Sequence, residues 1–134
     1  MIAFRDPATL HAPVAAYSHQ VEVPAGARWL VLSGQIGVRS DGSVVATAEE
    51  QLAVALDNIR LNLDAAGMTV SDLVKLTIYL VGDVDAARRR AILGDFFGAH
   101  RPALTLLFVA ALAAPAFRVE IDAWAAKVDA RTRG

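Results

Sequence analysis

The stretch "LDNIRLNLDAAGMTVSDLVKLTIYL", residues 56–80, changes its hydrophobic period at a single glycine. Before Gly67, apolar residues recur at steps of three and four, which places them on one face of a helix. After it, apolar and polar residues alternate over residues 73–80, the pattern of a strand with two different faces. Gly67 is a typical helix stop, because glycine readily adopts the left-handed conformation that ends many helices. The stretch therefore predicts a helix that turns directly into a strand.

The helix begins upstream of this stretch. Thr47 and Glu50 have capping-box spacing, in which each side chain can bond a free backbone amide of the first turn. We therefore predict a helix over residues 47–66 and a second, shorter helix over residues 85–98. The apolar stripe of the first helix consists of Leu52, Leu56, Ile59, Leu63 and Ala66.

Strands account for most of the remaining chain. They are predicted over residues 17–23, 28–34, 103–109 and 117–125, with short extended pieces around the turn at residues 41–42. The order is β-β-(β)-α-β-α-β-β, and two helices can cover only one face of such a sheet. The uncovered face carries Lys75, Tyr79, Glu120 and Trp124. A mixed polar and aromatic face is typical of a surface shared between subunits, so we expect a homo-oligomer.

Composition narrows the class of protein. The 134 residues are 55% hydrophobic, the net charge is −1, and there is no cysteine. Near-neutral charge argues against nucleic-acid and membrane partners, and the missing thiols exclude disulfides and thiolate catalysis. The opening "MIAFRDPATLHAP" lacks the apolar core of a signal peptide, and no apolar run reaches the ~18–20 residues of a membrane span. We expect a cytoplasmic protein.

Four motifs occur in the order and spacing of the RidA (YjgF) proteins, also known as the endoribonuclease L-PSP type. They are "SGQIG" (33–37), the stretch 56–80, "RPALT" (101–105) and "VEIDAWA" (119–125). The resemblance implies an α+β, chorismate-mutase-like fold, with a mixed sheet backed by two helices. It also implies a single domain over residues 1–134, with an N-terminal segment 1–16 and a C-terminal tail 126–134.

The same resemblance implies an assembly and an activity. RidA-like proteins are homotrimers with a central β-barrel and a ligand cleft at each subunit interface. Active members hydrolyse reactive imines and enamines, such as 2-aminoacrylate, to 2-keto acids and ammonia, and use no metal or organic cofactor. Tyr17 matches the aromatic residue that closes the cleft, and Ser33 and Gly34 lie on the strand that borders it. Glu120 matches the carboxylate that orients or activates the attacking water.

One position departs from the family pattern. Where active relatives read "PAR[ST]", with an arginine that binds the substrate carboxylate, this chain reads "PALT" and has Leu104. Leucine offers no donor, and removing one partner of a buried charge pair typically costs about 2–5 kcal/mol. We therefore do not expect the standard activity on 2-aminoacrylate. Thr105 and Leu106 complete the binding strand, and we hypothesise that Arg90 restores the cation from the second helix for a larger or differently shaped anion.

Each site residue also has a structural interpretation. Glu120 can pair with Arg118 or Lys75, Tyr17 can pack at an interface, and the basic run 88–90 can be a solvated helix surface. For the whole protein, the alternative to an enzyme is a non-catalytic ligand-binding or protein-stabilising trimer. A ribonuclease is disfavoured by the charge and by the lack of an aromatic and basic stripe. The three histidines have no ligand-like spacing, so no metal site is predicted.

Overall fold

A computed structural model describes residues 1–128 of the chain. It contains six strands, two α-helices and a short 3-10 turn at Val70–Asp72. The elements are β1 (Ala3–Arg5), β2 (Gln20–Glu22), β3 (Arg28–Ile36), α1 (Ala48–Ala65), β4 (Leu73–Leu80), α2 (Ala86–Phe97), β5 (Ala103–Phe108) and β6 (Val119–Lys127). No helix within residues 1–128 combines the length and the apolar character needed to cross a bilayer.

Four strands form the main sheet, in the order β3-β6-β4-β5. The β4 and β5 strands run parallel, whereas β6 pairs antiparallel with both β4 and β3. A parallel pair needs a long crossover connection, and α2 supplies it. The sheet is therefore mixed, and the α+β prediction is confirmed.

The core lies between one face of this sheet and the helices. The stripe predicted on α1 is almost completely buried, since Leu52, Ile59 and Leu63 have no exposed surface. Alternate residues of β4 and β6, such as Leu76 and Ile121, meet this stripe from the sheet. Burial of apolar surface at about 25 cal/mol per Å² is the main term that stabilises this layer.

Local signals in the sequence determine where the helices begin and end. The Thr47 hydroxyl accepts a hydrogen bond from the Glu50 amide at 3.1 Å, as the capping-box spacing predicts. The Asp85 carboxylate does the same for the amide of Arg88 at the start of α2. Gly98 ends α2 with a φ of 56°, a conformation that favours glycine. The helix bounds therefore agree with the predicted ranges to within one residue at each end.

Several strand predictions need correction. Strand β1 was not predicted, and β1 pairs only with β2, in a separate two-stranded sheet. The strand predicted over residues 17–23 is limited to the three residues of β2. The extended segments around the 41–42 turn form a single bridge, between Val38 and Val44, and no strand. Strand β6 begins two residues later than predicted and runs to Lys127, into the predicted tail. Residues 129–134 of that tail lie outside the described range.

The face of the sheet that turns away from the helices is open. Lys75 lies opposite Trp124 and Tyr79 opposite Glu120, so the four predicted residues share this face. Trp29 and Trp124 meet edge to face, with ring centroids 5.9 Å apart, and remain 50% and 45% exposed. Two half-exposed indoles on a bare sheet are a patch that a partner surface normally covers. The expected homotrimer remains a prediction, because only one chain is described.

Candidate functional site

A groove between α2, β5 and the N-terminal segment brings together most of the predicted binding residues. It has a volume of about 570 Å³, within the range of small-molecule sites. Tyr17, Arg90, Leu104 and Leu106 line it. The sequence analysis assigned these four residues to one site, and they come from three separate parts of the chain.

Backbone contacts determine the position of Tyr17 in this groove. The amide of the next residue, Ser18, donates to the Pro102 carbonyl at 3.1 Å, and its hydroxyl donates to the Arg101 carbonyl at 2.5 Å. These bonds fix the segment to the residues that lead into β5. The Tyr17 hydroxyl accepts from the amide of Val14 at 3.3 Å, so its polar end has a partner. Tyr17 therefore lies beside the start of the strand that carries Leu104.

The orientation of β5 follows from its register with β4. Leu104 lies opposite Leu76, and Leu106 opposite Ile78, so both leucines face the helices. Thr105 faces the other way, and its hydroxyl accepts a hydrogen bond from the Lys75 ammonium at 2.7 Å. Thr105 therefore belongs to the open face, and the structure separates it from the groove in which Leu104 lies.

Glu120 also lies on the open face. Its carboxylate packs directly on Gly34, where a Cβ atom would overlap it. Gly34 and Ser33 form a bulge in β3, since Leu32 pairs with Ala123 but the next regular pair joins Gln35 to Ile121. Bulges often occur next to active sites, where they redirect side chains. Here the missing side chain leaves the space that the carboxylate occupies.

The cations proposed as structural partners of Glu120 have other contacts. The Arg118 guanidinium donates to the carbonyls of Val81 and Asp83, and the Lys75 ammonium donates to Thr105. Within residues 1–128, the Glu120 carboxylate forms no side-chain hydrogen bond and no ion pair. In a single chain its acceptor sites therefore remain available to a ligand or to water.

A second acidic group near Glu120, Asp122, was not among the predicted site residues. The Tyr79 hydroxyl donates to the Asp122 carboxylate at 3.1 Å. This hydrogen bond, together with the negative charges of Asp122 and Glu120, raises the pKa of Tyr79 above its ordinary value. The alternation in β4 and β6 placed all three residues on one face, but only the antiparallel register shows that they are neighbours.

Sequence spacing also missed a contact between two histidines. The rings of His11 and His19 lie edge to face, with centroids 4.8 Å apart, and His19 also meets Tyr17. Among the residues that the structure describes, no three histidine, cysteine or carboxylate side chains form a cluster that could hold a metal ion. A hydrogen bond between the His19 ring and the His11 carbonyl, at 2.8 Å, further connects the two histidines within the segment that carries Tyr17.

The predicted site residues occupy two surfaces of the chain. Tyr17, Arg90 and Leu104 line the groove on the helix side, whereas Gly34 and Glu120 lie on the open face of the same sheet. A mixed sheet with two helices on one face and an open aromatic face defines an α+β fold of the chorismate-mutase-like class. The chain belongs to the endoribonuclease L-PSP family, the RidA/YjgF proteins, whose family model matches residues 9–127.

Individual relatives agree with this assignment. The 2-iminobutanoate/2-iminopropanoate deaminase of Escherichia coli K12 is 34% identical over 124 residues, which cover 90% of this chain and 95% of that protein. A crystal structure of the Rid family protein YyfB from Yersinia pestis superposes with a TM-score of 0.81 at 32% identity, covering 92% of this chain and 97% of that one. Escherichia coli TdcF with bound serine superposes with a TM-score of 0.69 at 27% identity, covering 92% and 94%.

Proposed function

We propose that this chain forms a homotrimer that binds a small molecule between subunits and hydrolyses the C=N bond of imines and their enamine tautomers. The observation that carries the proposal is the division of the site. Leu104 and Glu120 belong to opposite faces of one sheet, so a cleft that contains both needs a second copy of the chain. The exposed Trp29 and Trp124 on the open face support such an association.

Glu120 is the group that performs the chemistry in this proposal. Its carboxylate takes a proton from water as the water oxygen bonds to the imine carbon. Glu120 returns this proton to the nitrogen, which gives a carbinolamine. It then takes the hydroxyl proton and transfers it to the nitrogen as the C–N bond breaks, so that the C=O bond forms, ammonia leaves and the carboxylate is regenerated. One imine and one water thus give one 2-keto acid and one ammonia, and no electrons are exchanged. Two observations support this role: the acceptor sites of the Glu120 carboxylate are not used within residues 1–128, and this carboxylate packs against Gly34.

The relatives support the substrate class. One is named as a deaminase of 2-iminobutanoate and 2-iminopropanoate, and another binds serine, an amino acid of similar size. In this chain Leu104 replaces the arginine expected to grip the carboxylate of such substrates. An unpaired carboxylate beside leucine is costly, so turnover of 2-iminopropanoate is expected to be slow.

The test compares imine decay in the presence of three proteins. An amino-acid oxidase generates the imine, and its decay is followed with the natural chain, with Leu104→Arg and with the Leu104→Arg, Glu120→Gln double variant. We expect Leu104→Arg to accelerate the decay of 2-iminopropanoate at least about tenfold, because a bidentate charge-assisted contact returns. Glu120→Gln, made in the Leu104→Arg background, serves as the matched control and is expected to remove that gain. No gain from arginine at position 104 would contradict the proposed site.

Leu104 also favours a second candidate function, a ligand-binding trimer without catalysis. An aliphatic residue at the anchor position suits a ligand that is held but not hydrolysed. In that case neither the natural chain nor Leu104→Arg changes the decay of any imine, while binding of small carboxylates or ketones is still detected by calorimetry.

A further inference from the structure

The groove on the helix side is larger and more apolar than the binding of a three-carbon imine requires. Its walls include four large apolar side chains, Leu93, Phe97, Leu104 and Leu106, and its volume of about 570 Å³ far exceeds such a molecule. Pockets of this kind bind ligands mainly through apolar contacts and use a few polar groups to orient them. The ligand therefore needs an apolar part of several carbons.

Three arginines, Arg89, Arg90 and Arg101, are among the residues that line the same groove. Arg101 is already engaged, because it donates to the carbonyls of Gly98 at 2.6 Å and His100 at 3.0 Å. Within residues 1–128, Arg89 and Arg90 make no side-chain hydrogen bond and no ion pair. Two unpaired cations beside an apolar wall complement a ligand with an anionic end and an apolar body.

The face of α2 explains how these groups come together. Residues 90, 93, 94 and 97 follow the helical spacing of three and four, so cation and apolar wall belong to one stripe. Gly94 occupies the middle of this stripe, and a Cβ atom built there would meet nothing within 4 Å. The missing side chain keeps the groove open between the cations and Phe97.

We infer that this groove binds a monocarboxylate with a branched aliphatic or aromatic side chain, with its carboxylate on Arg90 and Arg89 and its side chain between Leu93, Phe97, Leu104 and Leu106. The inference rests on the proposed function, since it makes the 2-imino acids of this size, or the 2-keto acids formed from them, the ligands of the site. Leu104 then contributes to an apolar subsite, and the anionic anchor belongs to α2.

The experiment measures binding, so that it does not depend on turnover. The probes are pyruvate, 4-methyl-2-oxopentanoate and phenylpyruvate, titrated into the full chain by calorimetry. A buried methylene contributes roughly a fourfold gain in affinity. We therefore expect 4-methyl-2-oxopentanoate and phenylpyruvate to bind at least about tenfold more tightly than pyruvate. Equal affinity for the three acids would overturn the inference.

Two kinds of variant identify the groove. Arg90→Gln is expected to weaken binding of 4-methyl-2-oxopentanoate about tenfold, since one charge-assisted contact is lost. Arg88→Gln is the matched control, because Arg88 is exposed on the same helix and does not line the groove. Gly94→Leu fills the groove and is expected to abolish binding of phenylpyruvate. Its circular dichroism should be unchanged, because leucine favours a helix more than glycine does.

The outcomes separate this inference from the proposed function. Tight, Arg90-dependent binding of the larger keto acids without imine hydrolysis would support the inference and contradict the proposed chemistry. Imine hydrolysis that is insensitive to chain length, to Arg90→Gln and to Gly94→Leu would support the chemistry and overturn the inference.

Discussion

The side chain of Gln51 allows a quantitative test of how α1 holds strand β6. It is only 1% exposed, although it lies within the apolar face of the helix. Its amide nitrogen donates to the carbonyls of Val45 at 3.0 Å and Ala116 at 2.9 Å, and its oxygen accepts from the amide of Arg118 at 2.8 Å. The side chain thus joins α1 to Ala116 and Arg118, in the segment that leads into β6, the strand that carries Glu120.

The substitution Gln51→Leu keeps the volume and leaves all three partners unpaired. An unsatisfied buried polar group costs about 1–3 kcal/mol, and less where water reaches it. Val45 is buried, so its unpaired carbonyl would carry the full cost. Ala116 and Arg118 are nearer the surface, so the cost of their unpaired groups is lower. We therefore expect the free energy of unfolding to fall by about 2–6 kcal/mol. This is a large share of the total free energy of unfolding of a typical domain, ~5–15 kcal/mol.

Urea denaturation at one fixed protein concentration measures this loss, because the stability of an oligomer depends on concentration. With an m value of about 2 kcal/mol/M, the midpoint should fall by at least about 1 M. The control is Gln20→Leu, which changes an exposed glutamine on β2 and should stay within about 0.5 kcal/mol. A Gln51→Leu midpoint as high as that of the control would refute the assignment of these hydrogen bonds to stability.

Three further predictions concern the open face. Gly34→Ala should displace the carboxylate of Glu120, because the added methyl group overlaps it. Imine hydrolysis should fall at least about tenfold, while the far-UV circular dichroism spectrum stays constant. Full activity of this variant would contradict the role of Gly34 in positioning Glu120. Asp122→Asn should lower the pKa of Tyr79 towards the ordinary ~10. A spectrophotometric titration measures this pKa, with Tyr79→Phe subtracted to isolate the signal of Tyr79. An unchanged pKa would exclude Asp122 as the cause of the raised value. Because the raised pKa belongs to the folded state, the Tyr79 contribution to stability is present below about pH 10 and is lost as the pH rises through the raised pKa. In the proposed homotrimer, Trp124→Lys would place a charge in the interface where the half-exposed indole lies, and should therefore give smaller species in sedimentation velocity. An unchanged sedimentation coefficient would contradict an interface at Trp124.

The helices and the central strands were predictable because their signals are local and repeated. The stripe of α1 and the alternation of β4 each extend over many residues, so that a change at one residue does not hide the period. Strand β1 has only three residues, and its pairing with β2 depends on a partner about seventeen positions away. No local pattern encodes such a contact. The Gly34 bulge was hidden for the same reason, because it exists only relative to β6.

The candidate site was predictable as a set of residues but not as an arrangement. Strand alternation already separates Leu104 from Thr105, but which of them faces the helices depends on the parallel register with β4. Together with the antiparallel register of β6 on β4, this register also separates Leu104 from Glu120 within one chain. The role of Gln51 could not be predicted at all. A single polar residue in an apolar helix stripe gives no indication of its three hydrogen-bond partners, which lie elsewhere in the chain.

The position of the cation decides where a carboxylate substrate can lie in the proposed cleft. An arginine at position 104 would hold the carboxylate against β5, next to Leu76, and would leave little apolar surface for a side chain. A cation at position 90 holds it against α2, on the far wall of the groove, and the space beside Leu104 becomes free for the rest of the molecule. Restoring arginine at position 104 and removing it at position 90 should therefore both shift the preference towards the smaller substrate. In the Leu104→Arg, Arg90→Gln double variant, the preference should reverse, so that 2-iminopropanoate decays faster than the imine of leucine. A double variant that retains the preference for the larger imine would show that neither residue selects the substrate.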